Sequence, residues 1–294
     1  MASSGTPQGQ TEAKPSRAGR DLPAAIVVGL LLAAAVVLSL LYWHWGFVLL
    51  VTGMLTLGTI ELHDALLKVG MRSAITPIVI GTIGMMAGSY LAATTQGFHN
   101  VPWHIVLLGL LGGTILLALV WRMFGGADGY VKDAAASLFT IGYIPVLGSF
   151  VSLLLASPQG ATKVAIILLC VMGNDTGGYA VGARWGRHPM APLISPKKTW
   201  EGMAGSIALA TLVGVLLTVF WLGQPWWVGL VLALSIVLAA TCGDLIESLI
   251  KRDIGIKDMS SILPGHGGAM DRLDSILVAS PIGWLVFYLL VPGA

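Results

Sequence analysis

The sequence predicts an all-α, polytopic membrane protein of about nine transmembrane helices, with its N-terminus in the cytoplasm and its C-terminus outside. Three observations carry this. Of 294 residues, 56% are hydrophobic and only 10% charged, and the mean hydropathy is +0.85, a composition that excludes an ordinary soluble domain. The apolar residues form nine runs, each long enough to cross a hydrocarbon core of about 30 Å as a helix of about 20 residues. With nine spans and a cytoplasmic N-terminus, fifteen of the sixteen lysines and arginines fall on the cytoplasmic side and only Lys163 outside, as the positive-inside rule requires. The localisation implied is a cell membrane, multi-pass.

Residues 1–21 are rich in Ser, Gly, Pro and Gln and are expected to be a disordered cytoplasmic tail. The run that follows is too long for a signal-peptide core and reads as an uncleaved first span. The spans are expected at 24–42, 46–66, 74–93, 103–121, 134–156, 163–183, 202–222, 226–250 and 273–291. They divide into an N-terminal set of about five spans (22–160) and a C-terminal set of about four (161–294). Trp43, Trp45, Trp103, Trp121, Trp226 and Trp227 lie near span ends, where amphipathic rings anchor at the interface. Gly84-x3-Gly88, Gly109-x3-Gly113 and Gly178-x3-Gly182 have the spacing for close helix contact, but that spacing arises easily among 38 glycines. Cys170 and Cys242 lie in apolar runs without metal spacing and read as small buried hydrophobes. No nucleic-acid partner is indicated.

Residues 241–275 hold an unusual share of the charge: Asp244, Glu247, Lys251, Arg252, Asp253, Lys257, Asp258, Asp271, Arg272 and Asp274. If the eighth span continues as a helix, Asp244, Glu247, Ser248 and Lys251 share one stripe, and Asp271 and Asp274 are neighbours on the next helix. Between them, Pro264-Gly265-His266-Gly267-Gly268 is a loop whose backbone can approach a phosphate. Carboxylates on facing helices suit a hard cation such as Mg²⁺, and the adjacent lysines and arginines suit phosphate charge. The combination points to phosphoryl or nucleotidyl transfer on the cytoplasmic side.

Three other stretches carry polar chemistry. Asn174-Asp175 places an ionisable residue inside a span, which favours function over a merely bonded polar pair. Ser195-Pro196 is expected to be the N-cap and first residue of the seventh span's helix. Lys197 and Lys198 beside that N-terminus form either an anion site or a topology signal. Glu61 and Asp64, followed by Lys68 and Arg72, read as a solvated helix end. His44, His63, His99 and His104 have no partners at ligand spacing.

The charged window is also a recognisable pattern. The run Ser248-x-Ile250-Lys251-Arg252-x4-Lys257-Asp258-x-Ser260-x2-Leu263-Pro264-x-His266-Gly267-Gly268-x2-Asp271-Arg272-x-Asp274 closely resembles the signature of the phosphatidate cytidylyltransferase family, of the bacterial integral membrane type. Position 269, usually a larger aliphatic there, is Ala269. The resemblance extends to Asp175-x3-Tyr179-x2-Gly182 and to Ser195-Pro196-Lys197-Lys198-Thr199-Trp200-Glu201, and so covers roughly 164–291.

The resemblance implies that CTP and phosphatidic acid are joined to give CDP-diacylglycerol and pyrophosphate, with Mg²⁺ and room for a second cation. It implies Asp244, Lys251, Asp258, His266 and Asp271 as catalytic residues. Metal ligands would be Asp244 and Asp271, with Asp175, Glu247 and Asp274 for a second ion or the outer shell. Substrate phosphates would meet Ser195, Lys197, Lys198, Thr199, Lys251, Arg252, Lys257, His266, Gly267, Gly268 and Arg272. A homodimer is a family expectation. Two rival readings stand beside it. A CTP-dependent lipid kinase would release CDP instead of pyrophosphate. A transporter would need half-repeats and polar residues near the midplane of several spans, and neither is visible.

Overall fold

The computed structural model describes residues 22–94, 101–260, 262 and 267–291. The expected tail and His266 lie outside them. The chain runs α1 Leu22–Tyr42, α2 His44–Lys68, α3 Ile75–Thr94, α4 Trp103–Met123, α5 Tyr130–Ile141, a π-helical turn Gly142–Val146, α6 Leu147–Ala156, α7 Gly160–Trp185, β1 Pro189–Ala191, β2 Ser195–Thr199, α8 Trp200–Leu222, α9 Trp226–Ile254 and α10 Met270–Leu290. Among the described residues, eight helices are long and apolar enough to cross a membrane, counting α5–α6 as one, and α1 adds a shorter apolar helix over Ile26–Tyr42. The protein is thus an all-α, multi-pass membrane protein.

The fifth span is a broken helix. Pro145 has no N–H to donate and its ring crowds the carbonyl four residues back. The chain absorbs this by widening into the π turn at Gly142–Val146, which joins α5 to α6 without a loop.

Lipid offers no hydrophobic drive between helices, so close packing has to hold them together. The most extensive contact is α7 with α8, followed by α9 with α10 and α8 with α9. Glycines make the α7–α8 contact possible. A Cβ at Gly177 would collide with the Gly205 carbonyl, and one at Gly178 would come within 2.7 Å of Ser206 Oγ. Gly178-x3-Gly182 is therefore a real packing motif, whereas Gly109 and Gly113 have nothing within 4 Å.

Two apolar clusters form the interior. One, around Leu154, Ile166, Ile167, Cys170, Leu232, Ile236 and Phe287, joins α6, α7, α9 and α10. The other, around Leu55, Leu62, Met86, Ile144, Met270 and Leu277, lies beneath the start of α10. Because α2 and α6 pack directly on α10, the N-terminal and C-terminal sets share one interior.

Three expectations are corrected. Ser195-Pro196 does not open a helix. It begins β2, which pairs antiparallel with β1, Ala191 opposite Ser195. Thr199 is the N-cap of α8 instead, accepting from Gly202 N at 3.1 Å. Cys242 is exposed, while Cys170 is buried. Lys163, whose side of the membrane is the only thing expected of it, has a buried side chain, with Nζ 3.3 Å from Ser157 Oγ and 6.0 Å from the Phe287 ring centre. Glu61 is not solvated; its side chain is almost wholly buried, for a reason that belongs to the site.

Candidate active site

Two cavities meet at Asp175 and Asp244. The first, about 360 Å³, lies between α7, the β-hairpin, α8 and α9 and is lined by Asn174, Asp175, Tyr179, Ser195, Lys197, Lys198, Thr199 and Asp244 among others. The second, about 490 Å³, is lined by Asp175, Asp244, Glu247, Lys251, Asp258, Gly267, Asp271, Arg272, Asp274 and Ser275. Most of the residues singled out from the sequence therefore line two adjacent cavities. Arg252 and Lys257 are exposed and line neither cavity. Gly268 lies beside the second cavity, where its N–H bonds Asp271.

Local sequence explains the convergence. Helical periodicity puts Asp244, Glu247 and Lys251 on one side of α9, and Asp271 and Asp274 on one side of α10. Gly243 lets the two helices close, because a Cβ there would run into the Asp274 carbonyl. On α7, Asn174 Nδ2 donates to Asp175 Oδ1 at 3.0 Å, and Ser206 of α8 donates to the Asn174 carbonyl at 2.6 Å. That second bond ties Asp175 to the wall of the hairpin cavity.

Lys251 is the electrostatic centre of the second cavity. Its Nζ lies 2.5 Å from Glu247 Oε2 and 2.8 Å from Asp271 Oδ1. The Asp271 Oδ2 atom accepts from Gly268 N at 2.8 Å and Met259 N at 3.3 Å. Asp271 thus holds both ends of the glycine-rich loop to α9 through Lys251. In the first cavity, Lys198 Nζ lies 2.7 Å from Asp244 Oδ2. Lys198 is half-buried at this contact, while Lys197, on the same cavity wall, is exposed. Glu201 secures the hairpin root, accepting from the N–H groups of Arg187 and His188 at 3.1 and 3.2 Å.

The residue that sequence reasoning missed is Glu61. Its Oε1 accepts from Ser260 Oγ at 2.5 Å and Ala269 N at 2.9 Å, and its Oε2 from Met270 N at 2.8 Å. Two of these donors belong to the first turn of α10, which needs partners outside the helix. A buried carboxylate at a helix N-terminus meets that need and favours the dipole. Gly268 leaves room for it, since a Cβ there would lie 2.6 Å from Glu61 Oε2. Gly267 supplies the left-handed turn, with φ of 79°. Its signal in the sequence is an acid within an apolar span, as at Asp175.

Chemically, the site offers oxygen donors and ammonium or guanidinium groups but no Ser-His-Asp arrangement among its lining residues. It can neutralise and align phosphates.

Comparison with known proteins gives the same direction. The sequence profile of the cytidylyltransferase family matches residues 23–290. A phosphatidate cytidylyltransferase of Mycobacterium leprae (strain TN) is 36% identical over 290 residues, 93% of this chain and 90% of the relative. One from Mycobacterium bovis (strain ATCC BAA-935 / AF2122/97) is 37% identical over 297 residues, 96% of this chain and 93% of the relative. A Staphylococcus saprophyticus protein of the same name is 35% identical over 151 residues, 51% of this chain and 57% of the relative. With a match that runs through nearly all the spans as well as the charged window, the chain belongs to the cytidylyltransferase family and is a membrane-embedded nucleotidyltransferase.

Proposed function

We propose that this protein transfers the cytidylyl group of CTP to phosphatidic acid, giving CDP-diacylglycerol and pyrophosphate, at a site facing the cytoplasm. The observation that carries the reading is the shared wall at Asp175 and Asp244: a lysine-bearing cavity and a carboxylate-and-arginine cavity lie side by side against these two residues. Two polyanions can therefore be held side by side. The similar proteins' names support the substrates, and the distribution of basic residues supports the orientation.

In this reading an oxygen of the phosphatidate phosphate attacks the α-phosphorus of CTP. A new P–O bond forms, the bridging bond to the β-phosphate breaks, and pyrophosphate leaves with the electron pair. The attacking group is already anionic, so no strong general base is required. Lys197 and Lys198 receive the triphosphate. Arg272 receives the lipid phosphate. Lys251 holds Glu247 and Asp271 in place and, through Asp271, holds the loop against α9.

The donor chemistry fits Mg²⁺. The acids facing the second cavity present hard oxygens, and Glu247 Oε1 is buried without a hydrogen-bond partner. Among the described residues no three acidic, His or Cys side chains converge tightly enough to enclose an ion alone. That suits Mg²⁺, which keeps water and substrate phosphates in its shell. One or two of Asp175, Asp244, Glu247, Asp271 and Asp274 would hold it, with water and substrate phosphates completing the shell. When bound, it would neutralise phosphate charge and polarise the phosphoryl oxygens.

The test is a product assay on purified protein in detergent with phosphatidic acid, α-labelled CTP and Mg²⁺. Label in a lipid, matched by pyrophosphate, is the expected result. CDP accumulating on addition of a polyprenol, with no labelled CDP-lipid, would overturn it in favour of a lipid kinase.

A further inference from the structure

We propose that an apolar groove bounded by α1, α2, α6, α7 and α10 seats one acyl chain of the lipid substrate and so sets the position of its phosphate. This rests on the proposed reading of the site as taking a lipid phosphate. The groove encloses about 380 Å³. Its walls include Ala33 and Val36 of α1, Met54 of α2, Met172 of α7 and Ile276 of α10. Only two lining residues, Arg272 and Ser280, are polar. The Ser280 hydroxyl donates to the Ile276 carbonyl at 2.6 Å, within its own helix, and offers a ligand little.

Arg272 is therefore the one charged group on the groove, and it also lines the carboxylate cavity. The two spaces share this residue as a wall. An arginine suits the junction, because its methylene stem tolerates hydrocarbon while its guanidinium turns to phosphate. The occupant that satisfies both sides carries a long hydrocarbon chain and an anionic head. Neutral lipids satisfy only the groove; soluble nucleotides satisfy only the cavity.

The dimensions agree. From Arg272 to Ser280 the α10 axis advances about 12 Å at about 1.5 Å per residue. Half of a hydrocarbon core of about 30 Å is about 15 Å. The groove thus runs along most of one leaflet, starting at the level of the phosphate site. It is bounded on one side by α1, which packs chiefly on α2 and touches α7 only sparsely.

Hydrocarbon and groove are equally apolar, so entry of the chain yields little hydrophobic free energy. Its value is orientation. A chain held in one track fixes the attacking phosphate relative to CTP, and small displacements of a reacting group can cost about 100-fold in rate.

The experiment compares dioleoyl with dihexanoyl phosphatidic acid in wild type and in Ala33→Trp and Met172→Trp, which fill the groove from different helices at exposed positions. The kcat/KM ratio of the long-chain to the short-chain substrate is expected to fall about tenfold in both variants. Leu31→Trp, at a position of α1 that does not line the groove, leaves the ratio where it is. An unmoved ratio in both groove variants, or equal loss for both lipids, overturns the proposal. A second measurement does not depend on turnover. Phosphatidic acid with a diazirine in its acyl chain should label peptides containing Met54 and Ile276, and dioleoyl phosphatidic acid should compete where dioleoyl phosphatidylcholine does not. Equal competition by both would make the groove a general lipid contact and sink the idea. Selective labelling without any CDP-lipid product would uphold the groove while refuting the proposed reaction.

Discussion

Glu61 Oε2 accepts the backbone N–H of Met270 at 2.8 Å across 209 residues of sequence. The second helix of the N-terminal half thereby caps the helix that carries Asp271, Arg272 and Asp274. The N-terminal spans are part of the site's construction, and Glu61 acts there as a positioning residue.

Replacing Glu61 should consequently damage both fold and activity. Glu61→Ala leaves the Ala269 and Met270 N–H groups buried without partners, at about 1–3 kcal/mol for each unsatisfied group. Glu61→Gln retains one acceptor oxygen and should fall between Ala and wild type. Thermal unfolding in detergent, read beside turnover, checks the order. A fully active and equally stable Glu61→Ala protein would show that the clamp is dispensable.

Lys251→Met should be the most damaging single change in the second cavity. It leaves Glu247 and Asp271 facing each other without the ammonium group that lies 2.5 and 2.8 Å from them. Breaking such a buried pair costs roughly 3–5 kcal/mol. Adding Glu247→Gln to Lys251→Met should recover part of the folding stability, with a coupling of about 1–3 kcal/mol, but not the activity. Strict additivity in the double-mutant cycle would contradict this account.

Metal dependence should be steep. A chelator is expected to abolish turnover and Mg²⁺ to restore it. Asp244→Asn and Asp274→Asn should each raise the Mg²⁺ concentration for half-maximal rate by about tenfold, a loss near 1.4 kcal/mol of binding. Unchanged Mg²⁺ titrations in both variants would remove these acids from the donor set.

The hairpin makes a separable prediction. Lys198→Met should raise the KM for CTP about tenfold, while Thr199→Ala should mainly lower stability by about 1 kcal/mol through loss of the α8 cap. Initial-rate kinetics and thermal unfolding distinguish the two. If both variants behaved alike, the division of β2 into a phosphate-facing lysine and a capping threonine would fail.

How much was legible in the chain follows from the range of the forces involved. Span number and helical class depend on runs of apolar residues, which are local, so all nine runs correspond to helices, with the fifth broken at Pro145. The stripe of Asp244, Glu247 and Lys251 depends only on the helical period and is present as expected. Two local readings failed where a tertiary partner outcompeted propensity. Ser195-Pro196 has the chemistry of a helix start, yet pairing with Ala191 draws it into a strand and leaves the cap to Thr199. Glu61, followed by Asp64, Lys68 and Arg72, reads as a helix end, yet three donors from a distant loop and helix bury it.

By itself, then, the sequence determined the membrane class, the helical spans and the identity of the charged groups, because hydropathy and helical period act over a few residues. The tertiary structure alone decided which acids face which bases, that α2 caps α10, and that Arg272 stands between a polar cavity and an apolar groove. Those relationships depend on how closely helices approach, and that distance is set by glycines such as Gly177, Gly243 and Gly268 meeting backbone or carboxylate atoms far away in sequence.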